Sequence, residues 1–119
     1  MKLDGSMKHL LFEFRQQASI ILYADDRYHN SMEDETFVSE FGGTLFIIAC
    51  FWRLLCDFGG LSEEISKPEH LLWWLFLVRN YPKRKQFEQI VDIKGRHLQK
   101  HLQPIKEAVL RTKKYVVRI

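Results

Sequence analysis

The chain has 119 residues, 46% hydrophobic, 13% aromatic and 28% charged, with a formal net charge of +3. That length suits one domain with one core, and the composition excludes a mainly disordered chain. Two cysteines, Cys50 and Cys56, exclude a disulfide scaffold and read as reduced, buried, intracellular thiols.

The longest apolar runs, Leu45 to Trp52 and Leu71 to Val78, are eight residues each. A spanning helix needs roughly 18–20 apolar residues, so no membrane partner is expected. No basic segment, apolar stretch and small-residue cleavage site follow one another at the N-terminus, so no signal peptide is expected. The protein reads as soluble and intracellular. Charge is divided unevenly: residues 1–78 hold 6 Lys/Arg against 12 Asp/Glu, whereas residues 79–119 hold 12 against 3. An excess of nine positive charges in the last third points to a polyanionic partner.

In chain order, Met7, Leu10, Leu11, Phe14, Ala18, Ile21 and Leu22 recur at helical spacing, which predicts a helix from Met7 to Tyr23 with Ser6 as N-cap. Asp25 to Asp34 reads as a polar loop leading to a short helix, Asp34 to Glu40. Its carboxylates, Glu33, Asp34 and Glu35, favour a helix N-terminus over a metal or acid–base site. Phe41-Gly42-Gly43-Thr44 is a breaker followed by an N-cap. No phosphate-binding glycine pattern accompanies it. The helix it introduces, Leu45 to Phe58, is apolar on nearly every face and is expected inside the core, ended by Gly59-Gly60.

Ser66-Lys67-Pro68-Glu69 reads as a capping box with Pro in the first turn. The next helix, His70 to Asn80, offers only His70, Arg79 and Asn80 to water, so it is expected at the centre, surrounded by other elements. Its Trp73-Trp74 pair reads as core. Tyr81-Pro82 breaks the chain. A short helix, Lys83 to Val91, a turn at Asp92-Ile93-Lys94-Gly95 and a further helix from Arg96 follow. On that helix Leu98, Leu102, Ile105 and Val109 fall within about a 60° arc. Pro104 is expected to kink or divide it, and Lys113 to Ile119 to run extended. The expected architecture is all-α: five to six helices around a Trp-rich central helix with a C-terminal helix-turn-helix. Residues 1–35 form an N-terminal helix and acidic loop, 36–112 the helical domain with the helix-turn-helix at 83–103, and 113–119 a basic tail.

Helix, four-residue turn, helix is the spacing of a motif whose second helix lies in the major groove. Leu98, Leu102 and Ile105 hold that helix on the core. Arg96, Gln99, Lys100 and Gln103 face outward, where Arg suits guanine, Gln suits adenine and Lys suits phosphate. Lys83, Arg84, Lys85 and Lys94 are placed for phosphate contacts, as are Lys113 and Lys114. His97 and His101 stand four apart, a spacing that suits two zinc ligands. The cysteines are too far apart for a zinc knuckle, so no metal, cofactor or catalytic residue is expected. Pro82-Lys83-Arg84-Lys85 has the form of a nuclear localisation signal.

These residues also carry a resemblance. Lys67-Pro68-Glu69-His70-Leu71-Leu72-Trp73, then Leu75-Phe76-Leu77 and Tyr81, resembles the region before the catalytic domain of Harbinger-like eukaryotic DDE transposases. Phe41-Gly42-Gly43-Thr44 and Trp52 match the Phe-Gly-Thr segment and Trp-containing helix of that family. Gly95-Arg96-His97-Leu98-Gln99-Lys100-His101 corresponds to its second helix, typically acidic-Lys-Thr-Phe-Arg-Lys-Trp. The resemblance runs from Phe37 to Val109. Gly95 replaces an acidic residue, His101 replaces Trp, and Pro104 stands where the family helix continues. The catalytic acids of such transposases lie further downstream. The resemblance therefore implies a nuclear, double-stranded-DNA-binding domain without the nuclease, not an enzyme. The alternatives are a helical protein-interaction module, self-association included, or a non-functional fragment of a mobile element.

Overall fold

The structure, a computed structural model, describes residues 5–25, 27–28, 32–62, 64, 66–79, 85, 88–89 and 95–116. Among them are five helices and no strand: α1 (Gly5–Tyr23), α2 (Asp34–Phe41), α3 (Leu45–Phe58), α4 (Pro68–Arg79) and α5 (Gly95–Val116). The protein is all-α, as its hydrophobic periodicity requires.

Packing closes a ring in which α1 touches α3, α3 touches α5, α5 touches α4, and α4 returns to α1; α2 packs on α4. The core lies inside this ring. Phe14, Ala18 and Ile21 enter it from α1, Ala49, Trp52 and Leu55 from α3, Leu71, Leu72 and Trp73 from α4, and Leu98 and Ile105 from α5. Phe37 and Phe41 of α2 add an aromatic edge, with Phe41 and Phe76 rings 6.0 Å apart.

The α2–α3 junction follows from its four residues. Gly42 adopts φ +92°, a left-handed conformation that glycine reaches at little cost, and its N–H returns to the Phe37 and Val38 carbonyls. Thr44 then caps α3 by accepting from the Ile47 N–H at 3.3 Å. A side chain of the sign its dipole favours reaches each end of α3, against the exposed Asp57 in its last turn. Asp34 Oδ1 accepts from the Leu45 N–H at 3.4 Å, and Arg111 Nε donates to the Gly59 carbonyl at 2.7 Å.

Several local expectations are corrected. Helix α1 starts at Gly5, so Ser6 lies within it and is not its N-cap. The capping box of α4 sits one residue later: the Lys67 N–H donates to His70 Nδ1 at 3.1 Å, while the buried Ser66 Oγ has no hydrogen-bond partner. With its acceptor satisfied, His70 is only 6% exposed, not a water-facing residue, whereas Val78 is 62% exposed where α4 rises out of the core. Helix α3 is not enclosed. It packs chiefly on α1 and α5, and its outer side leaves Phe46, Ile47, Leu54 and Phe58 exposed. Cys50 and Cys56 are reduced thiols and half-buried, not fully buried.

Helix α5 runs through Pro104 without division. Proline withholds the hydrogen bond to the carbonyl four residues earlier, here that of exposed Lys100, which water can satisfy. Leu102 and Ile105, buried on either side of the proline, hold both halves to the same core. Residues 113–116 are helical rather than extended. Each adds one hydrogen bond to an existing helix, and that gain outweighs the strand preference of Tyr-Val.

Candidate nucleic-acid interface

Helix α5 is divided lengthwise by the pattern of its side chains. Leu98, Leu102, Ile105, Ala108 and Thr112 are buried. Arg96, Gln99, Lys100 and Gln103 are all exposed, so the structure brings these four sequence-predicted residues onto one solvent-facing stripe. From Arg96 to Gln103 the stripe is about 10 Å long at 1.5 Å per residue. Lys85 is also exposed and helical. Lys83, Arg84 and Lys94 lie outside the described residues, as does most of the first helix and turn of the expected helix-turn-helix.

The amides of the stripe are arranged as a ladder. Gln99 Nε2 donates to Gln103 Oε1 at 3.5 Å, and Gln103 Nε2 donates to Glu107 Oε1 at 3.3 Å. These exposed bonds are long and cost little to exchange, but they align both amides along the helix. Glu107 is the residue that the sequence reading overlooked. It continues the Arg96–Gln103 row at i+4 and places a carboxylate on it.

The back of the stripe is anchored by aromatic contact. His101 is half-buried, and its ring lies 4.5 Å from that of His70 and 5.8 Å, edge-on, from that of Trp73. His70 in turn lies 4.8 Å from Trp73. Because His70 Nδ1 accepts from Lys67, its proton belongs on Nε2. Desolvation first, then the nearby His101 and Lys67, push its pKa from 6.5 down to about 4. It is therefore neutral at physiological pH. His97 remains exposed, so the i,i+4 histidines do not act together: one faces solvent, the other the α4–α5 seam. Among the described residues no group of three or more His, Cys, Asp or Glu is placed to hold a metal ion.

A concavity of about 910 Å³ opens between α1, α3 and the start of α4. His9, Glu13, Arg53, Asp57, Lys67 and Glu69 line it with interleaved charge. Such a lining favours neither an anion nor a cation. Among the described residues no single helix is long and apolar enough to cross a membrane.

No protein-family model, curated protein or solved structure matches the chain. The functional reading therefore stands on α5 itself. Nothing in the sequence marked the His70–His101 contact, because the two residues are 31 positions apart and only the α4–α5 packing joins them.

Proposed function

We propose that the chain binds double-stranded DNA, with α5 entering the major groove as the second helix of a helix-turn-helix. In this reading it is a transposase-derived, nuclear DNA-binding domain without nuclease chemistry of its own. One observation carries the proposal: Arg96, Gln99, Lys100 and Gln103 share the exposed side of a helix whose other side is locked into the core. Arg96 and the glutamines present groups that match base edges, and Lys85 and Lys100 present phosphate-neutralising charge. The strongly basic residues 79–119 supply the long-range attraction. Titration of labelled duplex with the full chain at several salt concentrations tests it. Binding that weakens steeply with salt supports the reading; no retention at low salt overturns it.

The second reading is a helical protein-interaction module in which the same stripe docks on an acidic protein. Glu107 favours it, since a carboxylate in the row repels phosphate but can pair with a basic group on a protein.

A further inference from the structure

We propose that the concavity between α1, α3 and the start of α4 binds a small zwitterionic peptide, a dipeptide or tripeptide with a large apolar side chain. Lys67 takes its carboxylate, and Asp57 and Glu69 take its ammonium. The volume, about 910 Å³, lies within the roughly 300–1,000 Å³ usual for small-ligand sites and exceeds what a single amino acid fills.

The floor is apolar and preformed. Leu10 from α1, Trp52 and Cys56 from α3 and Pro68 from α4 supply it. Leu10 and Trp52 also belong to the core, at 8% and 3% exposed, so the packing of α1 on α3 fixes this floor before any ligand arrives. A ligand that docks an apolar side chain there need not order the protein first.

The charges at the rim decide which ligand. Glu13 has a partner, with its Oε1 3.8 Å from His9 Nε2. Among the described residues, the Lys67 ammonium and the Asp57 and Glu69 carboxylates form no ion pair or hydrogen bond, although all three line the same cavity. Lys67 and Glu69 stand two apart at the start of α4, a spacing at which side chains do not face each other, and Asp57 comes from α3. Both signs are therefore left open. An anion would meet two carboxylates, and a cation would meet the ammonium. An uncharged apolar ligand would strip water from all three groups and return nothing, at greatest cost to half-buried Glu69. A zwitterion answers both signs, and peptide termini are captured by such groups. No residue of α5 lines the cavity, so the inference is independent of the DNA reading.

Titration of leucylglycine, phenylalanylglycine and tryptophylglycine into the isotope-labelled full chain, followed by NMR, provides the test. At least one should give saturable shifts of the Glu13, Arg53 and Glu69 amides with a Kd under about 1 mM, leaving those of Gln99 and Gln103 in place. Acetylating the peptide amine or amidating its carboxylate should each weaken binding about tenfold. Lys67→Gln, which keeps the backbone N–H on His70, should weaken the free peptide about tenfold and remove the penalty for amidation. Asp57→Asn combined with Glu69→Gln should remove the penalty for acetylation. No saturable shift with any of the three peptides overturns the proposal. So do blocked peptides that bind as well as free ones, or blocking penalties that persist in these variants.

Discussion

The imidazoles of His70 and His101 lie 4.5 Å apart with their planes inclined by 32°, joining α4 to α5 behind the exposed stripe. His70 is buried and uses Nδ1 to accept the Lys67 N–H. Protonation would replace that acceptor by a donor and place a charge beside His101 and Lys67.

The seam should make stability depend on pH. The His70 pKa is about 4 in the folded protein against 6.5 for the free side chain, so the unfolded chain binds the extra proton between those values. Its stabilising contribution is complete above pH 6.5 and is lost progressively down to about pH 4, on the order of 3 kcal/mol in all. Urea midpoints measured across this range should fall with acid, and His70→Gln should flatten the profile. A His70 ring that titrates near its free value by NMR would contradict the assignment.

Trp73 and Trp74 should differ. Trp73 is 6% exposed and packs against both histidines, whereas Trp74 is half-buried. Trp73→Ala should cost about 3–5 kcal/mol, and Trp74→Ala clearly less. Chemical denaturation of the two variants decides it, and equal losses would mean that the interior side of α4 has been misassigned.

Gly59 is a point of close approach between α3 and α5. A Cβ there would lie 2.7 Å from the Ala108 and Leu55 carbonyls and from Thr112 Oγ1. Gly59→Ala should therefore destabilise by about 1–3 kcal/mol through overpacking, even though its φ of −93° suits any residue. Gly60 has φ +71°, and a Cβ there would meet the Arg111 guanidinium at an ordinary contact distance of 3.8 Å, so Gly60→Ala should cost only about 1 kcal/mol, from backbone strain. Thermal melts that rank Gly60→Ala as the more damaging would contradict the α3–α5 contact.

On DNA, roles should separate along the stripe. If Lys83, Arg84, Lys85 and Lys100 each neutralise a phosphate, log K should fall against log salt with a slope of roughly −3.6, and each lost lysine should reduce it by about 0.9. Arg96→Ala should cost about 1–3 kcal/mol at a preferred site and much less on random duplex. Glu107→Gln should raise affinity for every duplex, since it removes the one carboxylate of the Gln99–Gln103–Glu107 row. Competition titrations with random and selected duplexes measure all three. A Glu107→Gln variant that binds duplex more weakly would favour the protein-docking reading.

The helices and their breaks were legible in the sequence because they depend on neighbours: the periodicity of α1 and α5, the Gly42–Thr44 junction and the glycines after α3 are local signals. The exposed stripe of α5 was legible for the same reason, since four polar residues opposite an apolar arc have nowhere else to go. Its interruption by Glu107 was equally available, at i+4 from Gln103. Which apolar faces find a partner was not legible. Local pattern says that α3 is apolar all round, but only the ring of helices decides that α1 and α5 cover two of its sides and leave Phe46, Ile47 and Leu54 in water. His70 shows the reverse, a polar residue drawn inside because Lys67 supplies a donor and His101, on another helix, supplies a ring. Burial belongs to pairs of elements distant in the chain, and no property of a single helix specifies them.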